Sequence, residues 1–283
     1  MDDPTTSEPA TNPTRFRRWA DLCTTDFAGL NPERTVAILR LGATEQHGPH
    51  LPLSVDTDLL EGILLETGQH LSPDLPVYLL PSLAVGYSPE HQAFAGTLTL
   101  RPETTLQLWS DIAESVARAG VRKLVLFNTH GGHTGMMDVV GRQLRSRFGL
   151  MVYSVSWFNL PLLDDVGADL NTQISAQEHR FGIHGGQVET SMMLALRPDR
   201  VRLTRAEQFH STSEARAAQY PVLGNGRSAK LSWMAQDYHP GGAVGNAALA
   251  NQQLGQQLIS AAGRAFASLL SEVVALPLST LRD

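Results

Sequence analysis

The segment Gly42-Ala-Thr-Glu45-Gln-His47-Gly-Pro-His50-Leu-Pro-Leu-Ser-Val-Asp56-Thr-Asp58 gathers carboxylates and imidazoles on one loop. In an extended stretch Glu45 and His47 project to the same side. Gly48 and Pro49 then turn the chain, so that Asp56 can return to the same cavity. Carboxylate plus imidazole is the donor set of Zn²⁺, Mn²⁺ or Fe²⁺. A polar loop with a surface histidine is the plain alternative. A second segment, Asn128-Thr-His130-Gly-Gly-His133-Thr-Gly, offers His130 as a ligand beside two glycines that allow close backbone approach. His133 is open between a second ligand, an orienting partner and the start of the next helix. A third, His184-Gly-Gly-Gln-Val-Glu189-Thr-Ser191, runs into an apolar stretch. A glutamate among Val188, Met192 and Met193 needs a partner, because an unpaired buried charge is costly. Either a metal ion or an arginine would serve. One tetrahedral zinc needs about four ligands. Five donors, with a carboxylate able to bridge, suit two ions about 3.5–4 Å apart that share a water, lower its pKa and aim it at a carbonyl or phosphoryl centre.

Each segment must be held by something rigid. Thr35–Gly42 is a short apolar run ending in glycine, a buried strand. Val77–Leu80, closed by Pro81, Lys123–Phe127 and Met151–Val155 read as further strands. Between them Asp58–Gln69, Pro102–Ala119 and Met136–Phe148 have helical spacing, and a last long helix runs from about Asn246 to Val274. Alternating strands and helices imply crossover connections, hence an α/β fold with a mostly parallel central sheet and helices on both faces, a single-domain three-layer sandwich. In such sheets ligands bind beyond the carboxyl ends of the strands. Chemistry is therefore expected just after Leu41, Leu80, Phe127 and Val155. The stretch from Ala206 to Gly245 is irregular and is expected to be a cap, an excursion around the site or a subunit contact. No internal repeat or mid-chain linker divides the chain.

The chain has 283 residues, 22 Lys+Arg against 28 Asp+Glu, a formal net charge of −6 and one cysteine, Cys23. That length suits one large α/β domain. A lone cysteine excludes an intramolecular disulfide framework and a zinc site built on several thiolates. The mild acidity, with no basic stripe, argues against nucleic acid as a partner. No uninterrupted apolar run approaches the roughly 18–20 residues that span a bilayer, so no membrane partner is expected. Residues 1–14, rich in Pro, Ser and Thr, are expected to be a disordered tail, with residues 15–283 as the folded domain. That tail does not look like a secretory signal, and a cytoplasmic location is expected.

The first and third segments, with Asn128-Thr-His130-Gly-Gly and the intervening Glu90-His91-Gln-Ala-Phe94-Ala-Gly96-Thr97, resemble the signatures of the creatininase (creatinine amidohydrolase) family. The resemblance extends over roughly Trp19 to Leu270. It implies a binuclear metal hydrolase of non-peptide C–N bonds in small cyclic or formyl amides, assembled as a homo-oligomer, usually a hexamer. A mycofactocin-maturation branch instead cuts a peptide. Carried over, Glu45, His47 and His130 are metal ligands, Asp56 bridges two divalent ions (Zn, Mn or Fe), and His184 handles protons. Creatininases proper have a metal-binding glutamate where this chain has Gly132, and Glu189 is then the replacement ligand. They also place a tryptophan and a glutamate just before the histidine matching His184, at about the places of Arg180 and Ile183 here. Trp157 keeps the other aromatic wall. Arg180 pointing inward would favour an anionic amide over creatinine. Ser88 and His133 complete the expected substrate contacts.

The expected function is thus a metal-dependent amidohydrolase of a small amide. A metal-bridged hydroxide would attack the carbonyl, and His184 would pass the proton to the leaving nitrogen. A mycofactocin-type peptidase and a non-catalytic metal-binding relative are the alternatives.

Overall fold

The computed structural model describes residues 16–282, so the expected tail lies outside the described residues. Five strands form one parallel sheet: β1 (Arg17–Arg18), β2 (Val36–Leu41), β3 (Val77–Leu83), β4 (Lys123–Asn128) and β5 (Met151–Ser156), in the order β1-β3-β2-β4-β5. Strand alternation sorts the side chains into two layers. Val36, Ile38, Val125 and Phe127 face helices α1 (Val55–His70), α5 (Gln187–Leu196) and α8 (Gln252–Ala275). Ala37, Leu39, Leu41, Leu124 and Leu126 face helices α2 (Pro102–Arg118) and α3 (Thr134–Phe148). This is the expected three-layer α/β sandwich.

Boundaries differ where local chemistry overrides the pattern. β3 does not stop at Pro81 but continues to Leu83. Ile38 pairs with Leu79 and Arg40 with Ser82, so two residues of β3 stand opposite one of β2. The proline, with no N–H to give, sits in that bulge, and the Arg40 guanidinium donates to the Leu80 carbonyl at 2.7 Å. Helix α8 starts at Gln252 rather than near Asn246, because Asn251 caps it by accepting from the Leu254 N–H at 2.9 Å. The irregular stretch holds short helices α6 (Thr212–Gln219) and α7 (Ala235–Tyr238), and a two-stranded ribbon of β6 (Gln208–Phe209) and β7 (Gly245–Asn246). Helix α4 (Ala176–Phe181) precedes α5.

Helix α8 is long and apolar enough to cross a membrane by length and composition. Here it is a core helix, with Leu254, Leu258, Phe266 and Leu270 packed in the layer shared with α1 and α5. Its C-terminus is held by an interior cation. Lys123 at the start of β4 is fully buried, and its Nζ donates to the carbonyls of Val273 and Val274 at 2.9 Å and Leu276 at 2.5 Å. These are among the carbonyls a helix end leaves without partners, and the cation also complements the helix dipole. Lys123→Met should strip all three bonds and lower the unfolding free energy by about 2–4 kcal/mol, measurable by urea denaturation. A loss below about 0.5 kcal/mol would mean that water replaces the ammonium.

Candidate metal centre and active site

Every strand from β2 to β5 delivers part of the site just past its C-terminal end. The turn after β2 carries Glu45, Gln46 and His47, and its backbone closes when the Glu45 N–H donates to the Leu53 carbonyl at 3.0 Å. Asp56 stands in the first turn of α1, and the Thr129 hydroxyl donates to its carbonyl at 2.7 Å. Helical geometry explains why Asp56 faces in and Asp58 faces out. Two residues apart is about 200° of rotation, and Asp58 instead accepts from Ser54 at 2.6 Å and Arg200 at 3.3 Å. The loop after β3 brings Glu90 and His91, the loop after β4 brings His130, and Trp157 follows β5. His184 and Glu189 come from the start of α5 and the residues before it.

Their polar atoms converge. Glu45 Oε1 lies 3.1 Å from His130 Nδ1, 3.4 Å from His91 Nε2, 3.9 Å from His184 Nδ1 and 4.0 Å from His47 Nε2. Asp56 splits its two oxygens, Oδ1 at 3.9 Å from His47 Nε2 and Oδ2 at 3.8 Å from His130 Nδ1. Glu189 accepts from the Gly185 N–H at 2.5 Å. The outer nitrogens of two histidines are spoken for. His47 Nδ1–H donates to the Glu45 carbonyl at 3.1 Å, and His130 Nε2–H to the Tyr87 carbonyl at 3.0 Å. Such bonds turn the bare nitrogens inward, as second partners of metal-bound histidines do.

Among the described residues, Glu45 Oε1 and Oε2, His47 Nε2 and Asp56 Oδ2 are buried without a hydrogen-bond partner. Groups so placed are expensive unless something compensates them. Ligand atoms on one ion, each about 2.0–2.2 Å from it, stand roughly 3–4 Å apart, which is the spacing found. Among the described residues three sets lie close enough to hold an ion: Glu45, Asp56 and His130; His47, His184 and Glu189; and Glu45, His91 and His184. The donor set fits Zn²⁺ or Mn²⁺.

The electrostatics carry the same message. Burial alone would raise the Glu45 carboxyl, but His130, then His91 and His47, hold it well below the usual carboxylate range. Burial, joined by the charge of Glu45, pushes Asp56 well above its ordinary value. Burial would depress His130, yet Glu45, Asp56 and Glu90 raise it to about 10. Burial lowers His47 to about 4, and burial together with His47 lowers His184 to about 4. The carboxylates thus raise the basicity of His130 against the effect of burial, which marks the point where a cation would offset their charge.

The cluster floors a cavity of about 1030 Å³. Trp157, Phe158, Leu162, Ile174, Ile183 and Trp233 are among its apolar walls, and Lys230 is on its rim. Trp157 is buried with its Nε1–H unpartnered.

All five expected metal ligands and His184 are therefore brought together, and Trp157 lines the cavity. Three expected substrate contacts are not on the wall. Arg180 is exposed and donates to the Gly224 carbonyl at 2.8 Å. Two positions earlier on α4, Glu178 points inward and accepts from the backbone N–H groups of Gln187 at 2.6 Å and Asn246 at 2.8 Å, which turns Arg180 to the opposite face. The cation beside the cavity is Lys230 instead. His133 is a pin between loops. Its Nδ1–H donates to Asn128 at 3.0 Å, its Nε2 accepts from the Tyr87 N–H at 3.1 Å, and its ring stands edge-on to Trp109. Ser88 is buried behind His130, its Oγ 3.4 Å from Nε2. Of the loop's two imidazoles only His47 enters the site, while His50 bonds Thr190 at 2.9 Å and stacks on Phe209.

Sequence reasoning missed His91 and Glu90 as site residues. The loop after β3 obeys the same strand-end rule that located the others, and that was the available signal. Gly132 gains a reason as well. A Cβ there would lie 2.4 Å from both Glu90 Oε1 and His130 Nε2, so the glycine leaves room for a carboxylate supplied by another loop.

Comparison with known proteins agrees with this architecture. The family model for creatininase (creatinine amidohydrolase) matches residues 20–270. The mycofactocin precursor peptide peptidase of Mycobacterium tuberculosis is 33% identical over 174 residues, 59% of this chain and 61% of that protein. The chain thus spans about three fifths of the length of that relative. The creatinine amidohydrolase of Pseudomonas putida is 32% identical over 181 residues, 60% of this chain and 67% of that protein. A Bacteroides fragilis structure described as a creatinine amidohydrolase superposes with a TM-score of 0.71 at 24% identity, covering 93% of this chain and 98% of that one. A manganese form of creatininase gives 0.69 at 24% identity, covering 91% and 98%. With the family model spanning most of its length and the fold shared throughout, the chain belongs to the creatininase family of hydrolases.

Proposed function

We propose that this chain is a metal-dependent amidohydrolase that cleaves a C–N bond, with two divalent ions held between the loops after β2 and β4 and the start of α5. The observation that carries the reading is Asp56, whose two oxygens face the bare nitrogens of two different histidines. On that basis Glu45, Asp56 and His130 would hold one ion, and Asp56, His47 and Glu189 the other. Ions bound there supply Lewis-acid polarisation of a carbonyl and activation of water.

The protein's own groups do the rest. His184 lies among the ligands with Nδ1 turned to Glu45 and Nε2–H donating to the Gln46 carbonyl at 2.6 Å. Its depressed basicity keeps the ring neutral and ready to take a proton at Nδ1 and return it to the leaving nitrogen. Trp157 supplies an aromatic wall to the cavity. The apolar walls exclude water, which strengthens each of these interactions.

The size of the cavity favours an amide carried on an extended, largely apolar molecule over a lone small ring such as creatinine. Pockets of about 300–1,000 Å³ enclose drug-sized ligands, and this one is at the upper end. A short peptide therefore stands as the second reading, in keeping with the mycobacterial relative's name. A panel of cyclic amides, formamides, ureides and short peptides with apolar ends, offered to the Mn²⁺- and Zn²⁺-loaded protein, separates the two. Turnover of none would remove the enzyme reading.

Two variants test the roles. Asp56→Ala should lose metal and activity together, with less than half the wild-type metal left in elemental analysis after gel filtration. Retention of the full complement would refute the bridging role. His184→Gln should keep its metal while turnover falls by roughly 10²–10⁴, and substrates with good leaving groups should be less affected. Equal slowing of activated and unactivated amides would make His184 a ligand or a structural group.

A further inference from the structure

Gln46 is buried between the two imidazoles that flank Glu45. Two backbone groups with one role each fix which way its amide points. Gly48 N–H donates to Oε1 at 2.8 Å, and Nε2 donates to the Gly242 carbonyl at 3.0 Å. Gly242 has φ +84, and a Cβ there would fall 2.2 Å from Gln46 Oε1, so both conformation and space require glycine at that point.

With the amide oriented, its other hydrogen is left for His91 Nδ1, at 2.7 Å. That nitrogen must accept, so the neutral ring carries its proton on Nε2, 3.4 Å from Glu45 Oε1. The backbone carbonyl of the same glutamine lies 2.6 Å from His184 Nε2. A bare nitrogen there would set lone pair against lone pair, so His184 also carries its proton on Nε2. Its bare Nδ1 is the atom turned to Glu45, at 3.9 Å. The 3.3 Å approach of Gln46 Nε2 to His184 Nε2 then brings two donors side by side and makes no bond.

We propose that Gln46 is a positioning residue that gives these two stacked histidines opposite tasks, His91 presenting an N–H towards Glu45 and the cavity and His184 presenting a lone pair. His91, although close enough to Glu45 and His184 to complete a set of ion ligands, is on this account a hydrogen-bond donor. It steadies the Glu45 carboxylate or an oxygen that gains charge during the reaction. The proton positions are independent of the activity, and only their effect on turnover rests on the hydrolase reading.

Neutron diffraction from crystals of the zinc-loaded full chain tests the positions directly. Deuterium is expected on Nε2 of both His91 and His184 and on neither Nδ1. Deuterium on Nδ1 of His91, or zinc on its Nε2, would overturn the proposal whether or not a substrate is known. Gln46→Glu keeps the shape but offers only acceptors, so His91 should move its proton to Nδ1. Once a substrate is in hand, kcat should fall about a hundredfold or more, as when one aimed donor is lost, with KM nearly unchanged. Wild-type proton positions in that variant would show that Gln46 does not set them.

Discussion

Glu45 is fully buried, and among the described residues only imidazole nitrogens, the nearest at 3.1 and 3.4 Å, approach its carboxylate. A carboxylate in that condition is far too costly for a fold to keep without a counter-charge. The imidazoles ranged around it answer to this constraint, and the carboxylate of Asp56 sharpens it by adding a like charge. Each histidine is steered by its outer nitrogen, through a carbonyl or an amide, so that the inner nitrogen meets the acid. The arrangement destabilises the chain locally and is held in place by what surrounds it.

What surrounds it is the parallel sheet. Four strands end at the same edge, and their following turns reach the same point without any long excursion of the backbone. The layer behind the site is just as specific. Helices α1 and α5 present Asp56 and Glu189 from their first turns, and both pack on α8. The far end of α8 is fastened to β4 by the interior ammonium of Lys123. The ends of the two acid-bearing helices are therefore fixed relative to the strand that precedes His130.

Much of this was legible in the residues. Short continuous apolar runs marked β2, β4 and β5, because parallel strands buried on both faces carry little else. The three acid-and-histidine segments stood out because each follows a strand or precedes a buried helix. The missing parts depend on contacts distant in sequence. Whether Arg180 faced the cavity was decided by Glu178, which is held by N–H groups of residues 187 and 246. His133 was decided by Asn128 and the Tyr87 backbone, and the reach of β3 by a bulge against β2. Residue type alone says nothing of such partners. His91 is a different case, since it lies on the loop after β3 and the strand-end rule that places the others applies to it equally.

Floor and wall come from different parts of the chain. The floor is drawn from turns that adjoin the sheet and the core helices, whereas much of the wall comes from the stretch around α4 and from residues 230–234 of the irregular excursion. Substitutions in those outer stretches need not disturb the buried carboxylates, and changes to the floor leave the outer surface free to stay as it is. Such a division makes the scaffold modular for selection and for engineering alike. The same bond-breaking apparatus can be handed to a new molecule by exchanging the excursion, while the sheet and its turns are inherited unchanged.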